Sequence, residues 1–310
     1  VGGDGFLYCV QTETGRVNWR YDLRTWVASR PTLSGGRLFV TTADDVVYAF
    51  DAGTGKWLWH YRRRTSQSSA IHGASAPAVD KGEVLVGLSD GYLIALGVDD
   101  GSLKWERRLG LTQKFTDLDA SPIVQGNEIY IPSYDGAFYT LRREGGEVLW
   151  KFDAGGARTV RLSADSIWLS SSNGTLYRLS RQSGKVLYEF ELDKPAPTSV
   201  ALTDDYVILG STYQYLYVLD RESGEVVYRF NAGDGSGFAS DPVLDPERRA
   251  FYILSQGGNL YQFFLRDLKH LQKVSPSAPL DPYGFQDRNF VRKSSRASSK
   301  ASSESLSQSR

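Results

Sequence analysis

Residues 47 to 59 read Val47-Tyr48-Ala49-Phe50-Asp51-Ala52-Gly53-Thr54-Gly55-Lys56-Trp57-Leu58-Trp59. β-Branched and aromatic residues flank a Thr-Gly pair, which suits two pleated strands joined by a tight turn. The glycine supplies the positive φ that such a turn requires. The same pattern returns along the chain. It begins at Asp4-Gly5-Phe6-Leu7-Tyr8 with Thr14-Gly15 and Trp19, then Asp90-Gly91 with Gly101 and Trp105, and Asp135-Gly136 with Gly146 and Trp150. Further copies are Asn173-Gly174 with Gly184 and Tyr188, and Tyr217 with Gly224 and Tyr228. A degraded seventh, Gly258-Asn259-Leu260-Tyr261, lacks the second glycine. The second glycines fall at 15, 55, 101, 146, 184 and 224, so the repeat spacings are 40, 46, 45, 38 and 40 residues.

A second pair of strands precedes most copies, as in Arg37-Leu38-Phe39-Val40-Thr41 and Glu128-Ile129-Tyr130-Ile131. Pro31, Pro77, Pro122, Pro197 and Pro242 open these pairs, where a missing N–H is tolerated. Four strands in a unit of about 40 residues is the measure of a β-propeller blade. The fold expected is therefore all-β, a propeller of four-stranded antiparallel blades with seven repeat copies visible. The Trp or Tyr four residues past each glycine is expected to pack between blades.

Composition narrows the function. The chain has 310 residues with 36 basic and 36 acidic side chains, a formal net charge of zero. A general nucleic-acid binder carries a basic excess to neutralise phosphates, so that class is excluded. No apolar run approaches the roughly 18 residues of a membrane-spanning helix. Cys9 is the only cysteine and the histidines are His60, His72 and His270, which excludes a disulfide scaffold and a Cys/His zinc site. No cofactor and no metal are expected. Nor is there a Gly-x-Ser-x-Gly elbow, a phosphate-binding loop or a His-Glu-x-x-His pair, and no catalytic residue is nominated. His60 reads as a structural strand residue. Asp44-Asp45, Asp99-Asp100 and Asp204-Asp205 read as turn residues bonding their own backbone.

Two connections are longer than the rest and account for the two widest spacings. They are Arg62 to Pro77 and Gly110 to Pro122. Each joins one blade to the next, so both should emerge side by side on one face, and extra length on one face of a repeat protein marks its binding face. The run Arg62-Arg63-Arg64 reads as a solvated charge run.

The repeat resembles that of pyrroloquinoline-quinone-type propellers, which includes both dehydrogenases and non-catalytic scaffolds. The alcohol dehydrogenases among them stack a vicinal disulfide on the cofactor, which Cys9 alone cannot form. A closer resemblance, over residues 1 to 264, is to the BamB family, a propeller lipoprotein of the outer-membrane β-barrel assembly machinery. It is carried by His72-Gly73-Ala74-Ser75-Ala76-Pro77, by Thr116-Asp117-Leu118-Asp119-Ala120-Ser121-Pro122-Ile123-Val124, and by Gly237-Phe238-Ala239-Ser240-Asp241-Pro242-Val243.

That resemblance implies a non-enzymatic scaffold. It would be lipid-anchored at the periplasmic face of the bacterial outer membrane, docking on the POTRA domains of BamA and meeting other machinery subunits and unfolded outer-membrane proteins. The partner-binding residues implied are Ser69, Ile71, His72, Phe115, Asp117 and Asp119. The family's Leu-x-Leu-Arg-Gly aligns with Ser69-Ala70-Ile71-His72-Gly73, so the apolar anchor Ile71 is kept while leucine and arginine are replaced by Ser69 and His72. A histidine is only partly charged near neutral pH. The family's Asp-x-Asp is intact as Asp117-Leu118-Asp119. The rival readings are a quinone-dependent dehydrogenase and a secreted propeller for an unrelated ligand.

The family has eight blades, and the first copy here lacks its opening strands. The first blade and part of the second are therefore expected upstream of Val1, with a native seven-blade ring as the alternative. Residues 1–268 are assigned to the propeller and 269–310 to a disordered Ser/Arg/Lys-rich tail, too poor in apolar residues to offset ordering entropy. From Arg266 to Arg310 there are nine basic and four acidic residues, so the tail side carries +5 and residues 1–265 carry −5. The neutral total averages an acidic propeller with a basic tail.

Overall fold

The computed structural model describes residues 4–27, 29–63, 75–109, 118, 120–133, 136–154, 156–193 and 197–265. The expectation of a disordered tail falls outside them.

Seven antiparallel sheets follow one another along the chain. Blade I holds β1 (Phe6–Val10) and β2 (Val17–Asp22). Blade II holds β3 (Thr32–Ser34), β4 (Arg37–Thr41), β5 (Val46–Asp51) and β6 (Trp57–Arg62). Blade III holds β7 (Ala78–Asp80), β8 (Glu83–Gly87), β9 (Tyr92–Gly97) and β10 (Leu103–Arg108). Blade IV holds β11 (Ile123–Gln125), β12 (Glu128–Pro132), β13 (Ala137–Arg142) and β14 (Val148–Asp153). Blade V holds β15 (Ala157–Leu162), β16 (Ser166–Ser171), β17 (Thr175–Ser180) and β18 (Val186–Glu191). Blade VI holds β19 (Ala201–Leu202), β20 (Tyr206–Gly210), β21 (Tyr215–Asp220) and β22 (Val226–Asn231). Blade VII holds β23 (Val243–Asp245), β24 (Ala250–Leu254) and β25 (Leu260–Phe264).

Each blade is a meander in which consecutive strands pair, the arrangement short turns dictate. The molecule is a β-propeller; among the described residues the first blade has two strands and the last has three. The first strands of successive blades, β3, β7 and β11, approach one another. Fourth strands lie outermost and are mostly exposed, β6 and β14 among them.

The turn between third and fourth strands works as the sequence suggested. In blade II, Asp51 accepts from Thr54 N at 2.8 Å and Thr54 Oγ1 at 2.6 Å, and Gly55 closes the turn at φ +71°. Those hydrogen bonds, the Thr54 hydroxyl first, hold the Asp51 carboxyl below its ordinary pKa. Pairing then slips by one residue: Ala49 faces Trp59 while Phe50 faces Trp57, leaving Leu58 as a bulge. The same slip recurs in blades I, III, IV, V and VI. A bulge twists the outer strand locally, which makes it a poorer template for another chain. It also breaks the inside–outside alternation, so Trp57 and Leu58 are both exposed while Trp59 is buried.

The core lies between blades. Phe39, Val47, Ala49 and Trp59 of blade II pack on Val84, Val86, Ile94 and Leu96 of blade III, and equivalent clusters join the blades on either side. Each recurrent aromatic reaches forward to the turn glycine of the next blade: Trp19 meets Gly55, Trp59 meets Gly101, Trp105 meets Gly146, and Trp150 meets Gly184. Trp19 Nε1 donates to Ala52 O at 3.0 Å, and Trp59 Nε1 to Val98 O at 2.9 Å. The inter-blade role expected for these aromatics is what the packing displays.

The proline expectation needs adjustment. Pro31, Pro77, Pro122 and Pro242 stand immediately before β3, β7, β11 and β23 rather than inside them. There, no ladder donor is lost at all. Pro197 lies four residues before β19 and forms an isolated bridge with Ser211.

Candidate partner-docking face

The long connection between blades II and III starts from Arg63 and is regained at Ser75. Arg63 is not a solvated charge, contrary to the reading of its basic run. Its guanidinium pairs with Asp90, donates from Nε to Glu106 Oε2 at 3.0 Å, and sits 3.5 Å from the centroid of the Tyr92 ring. Only 17% of its side chain is exposed. Burial works against its charge, but the Glu106 hydrogen bond and the Asp90 carboxylate outweigh that, so its pKa is raised above the ordinary value. Arg62 pairs with Asp44 and is more exposed. The cations at the root of this connection are therefore matched within the fold.

At the other end, Ser75 clasps β8. Its N donates to Gly87 O at 3.1 Å, and its Oγ accepts from Gly87 N at 2.7 Å. The hydroxyl is thus a fully buried substitute for a strand partner.

The second long connection leaves at Leu109, whose N donates to Gly91 O at 2.9 Å. It touches down at Leu118, whose N donates to Leu88 O at 3.1 Å. Leu118 is fully buried in the cluster of Leu85, Leu93, Ile129 and Ile131. Gly87 makes room for it: a Cβ there would lie 2.6 Å from Leu118 O and 3.3 Å from Ser75 Oγ. Both connections are thus anchored on one hairpin end, residues 87 to 92. Asp45 ties that end to blade II by accepting from Ser89 N at 3.2 Å.

The device recurs in blade VI. Thr198 N donates to Gly210 O at 2.7 Å and Gly210 N to Thr198 Oγ1 at 2.9 Å. Phe238, from the third family-like segment, takes the place of Leu118 and lies against Gly210, where a Cβ would be 2.9 Å from its Cβ.

Ser69, Ile71, His72, Phe115, Asp117 and Asp119 all lie outside the described residues. What the structure brings together is the ends of the two connections that carry them. Sequence reading missed Arg63, Ser75, Gly87 and Leu118. One available signal was the hydroxyl residue two positions before Pro77 and Pro242. Asp44 and Asp45 are turn residues, but each also makes a longer-range link, to Arg62 and to Ser89.

Compared with known proteins, residues 1–190 match the family model described as outer membrane protein assembly factor BamB. The BamB of Yersinia pestis is 28% identical over 164 residues, 51% of this chain and 42% of that protein. The BamB of Shewanella oneidensis is 25% identical over 157 residues, 48% of this chain and 40% of that protein. These matches span about two-fifths of the length of the curated relatives. Among solved structures, BamB from Moraxella catarrhalis superposes with a TM-score of 0.71 at 22% identity, over 84% of this chain and 79% of that one. Quinohemoprotein alcohol dehydrogenase from Comamonas testosteroni gives 0.64 at 16% identity, over 77% and 53%. At such identities both likenesses are of fold.

Proposed function

The chain belongs to the BamB family of outer membrane protein assembly factors, and from that premise we propose that it is a non-enzymatic scaffold of the β-barrel assembly machinery. In this reading it docks on the POTRA domains of BamA through its two long inter-blade connections, at the periplasmic face of the outer membrane, held there by a lipid anchor. Ile71 and Phe115 supply apolar contact. Asp117 and Asp119 supply the charge that orients the partner, and Ser69 and His72 complete the first connection. The machinery's other subunits and unfolded outer-membrane proteins are the further partners.

One observation carries the reading: Ser75 and Leu118, the landing points of the two family-like connections, meet on the same residue, Gly87. Fixing the described ends of both loops on one hairpin end sets where they leave the fold, and fixed ends lower the ordering cost of binding. The test is binding of the full chain to immobilised BamA POTRA domains. Wild type is expected to bind and the double variant Asp117→Ala, Asp119→Ala to bind more weakly; equal binding by the double variant would overturn the site assignment. Titration with pyrroloquinoline quinone, followed by absorbance, addresses the dehydrogenase rival, which requires saturable binding.

A further inference from the structure

Among the described residues, the turn between second and third strands is closed by the same backbone bond in blades II, III, IV, V and VII. Asp45 N donates to Thr42 O at 3.0 Å, Gly91 N to Leu88 O at 3.2 Å, and Gly136 N to Ser133 O at 3.1 Å. Gly174 N donates to Ser171 O at 3.1 Å and Gly258 N to Ser255 O at 3.0 Å. All five donors have positive φ: +58° at Asp45, and +82°, +97°, +100° and +76° at the glycines. Four blades thus meet the demand with glycine, which adopts that backbone freely. Blade II meets it with an aspartate, whose Cβ is carried into a left-handed conformation.

A strained residue of this kind points to a task that the turn alone does not set. The Asp45 carboxylate leaves its own blade. It accepts from Ser89 N at 3.2 Å and from the Ser89 hydroxyl. Ser89 directly follows Gly87 and Leu88, whose carbonyls accept from Ser75 N and Leu118 N. Beside Ser89, Asp90 pairs with Arg63, which directly follows β6. Blade II therefore grips the hairpin end of blade III through two adjacent residues.

We propose that Asp45 is a positioning residue: its strained backbone aims the carboxylate at Ser89 and so fixes the blade III hairpin end, residues 87–92, for partner binding. The binding part rests on the docking reading given above.

The test uses the full chain as wild type, Asp45→Gly, Asp45→Asn and Gly210→Ala. Asp45→Gly carries the residue that the other turns use, so the turn is kept while the carboxylate is lost. Hydrogen exchange followed by mass spectrometry should quicken roughly tenfold in residues 86–92 and stay unchanged in residues 169–175, the equivalent turn of blade V. Affinity for immobilised BamA POTRA domains should fall about threefold or more, and further than in Gly210→Ala, which crowds blade VI without touching this hairpin end. Asp45→Asn tolerates the same backbone and keeps an acceptor for Ser89 N, so wild-type exchange and affinity are expected. Unchanged exchange over residues 86–92 in Asp45→Gly would overturn the inference. So would faster exchange with wild-type affinity, or an affinity loss no larger than that of Gly210→Ala. If wild type itself does not bind, the docking reading falls, and the exchange rates alone decide whether Asp45 holds the hairpin end.

Discussion

Trp59 and Gly101 meet across the interface of blades II and III with no room for a side chain on the glycine. A Cβ on Gly101 would lie 2.6 Å from Trp59 Cε3 and 2.7 Å from Cδ2, well inside van der Waals contact. The glycine also holds φ at +68°. One residue therefore meets two demands, a left-handed turn and a floor for the preceding blade's indole.

The two demands separate by mutation. Gly126 has nearly the same φ, +67°, but nothing within 4 Å of a Cβ. Gly126→Ala should cost about 1 kcal/mol from backbone strain alone. Gly101→Ala should cost about 2–4 kcal/mol, because overpacking adds to that strain. Urea denaturation measures both, and equal losses would contradict the packing account.

The indoles themselves differ. Trp59 Nε1 donates to Val98 O, whereas Trp150 Nε1 is buried with no hydrogen-bond partner among the described residues. Replacement by Phe removes ring area at both sites but strands a carbonyl only at the first. Trp59→Phe is thus expected to be about 1–2 kcal/mol more costly than Trp150→Phe in chemical denaturation. The reverse order would mean that the indole hydrogen bond contributes nothing.

Much of this architecture was legible because it repeats. The spacing of Gly-x-x-x-Trp, with Tyr in place of Trp in two of the six copies, encodes turn and packing together and leaves few other folds. The bulge at Leu58 was not legible, since Trp57-Leu58-Trp59 reads as continuous strand and only the pairing register reveals the slip. In the candidate site, charge drew attention away from packing. Asp117 and Asp119 frame Leu118, and it is Leu118 that fastens the connection to the core. Arg63 read as part of a solvated run because its partners, Asp90 and Glu106, lie on the next blade, a proximity that only the ring arrangement creates.

Alkaline pH should act through Tyr130. Its hydroxyl donates to Glu128 and accepts from Arg181 Nε at 3.0 Å, joining blades IV and V. Burial first, then the Glu128 carboxylate, push its pKa up to about 12. The folded state thus keeps a proton that the unfolded chain releases near pH 10, so this contribution is intact below about pH 10 and is lost as pH rises towards 12. Unfolding midpoints between about pH 9 and pH 11.5 should fall less steeply in Tyr130→Phe than in wild type. Parallel slopes would remove Tyr130 from the account.

Arg63 should be irreplaceable even by lysine. Its planar guanidinium serves Asp90 and Glu106 while covering the Tyr92 ring, a combination an ammonium cannot reproduce. Because these groups are only partly buried, Arg63→Lys is expected to cost about 1–2 kcal/mol, and Arg63→Ala more. The loss should persist in high salt, which screens exposed pairs but scarcely touches the stacked geometry. Full recovery of the lysine variant in high salt would point to simple surface electrostatics.

Gly87→Ala tests the shared root of both long connections. The φ of Gly87 is not in the left-handed region, so alanine brings no backbone penalty, only contact with Leu118 O and Ser75 Oγ. Relief requires one landing point or both to move from β8. Overpacking of this kind costs about 1–3 kcal/mol in stability. The larger effect should appear in POTRA binding, because displacing either landing point moves the end of a loop that the docking reading places in contact with the partner. Gly210→Ala, which crowds Phe238 in blade VI in the same way, supplies the control. It should lower stability by a similar amount and leave POTRA affinity unchanged. Equal affinity losses in the two variants would mean that binding follows global stability, and that the Gly87 hairpin end holds no special relation to the docking face.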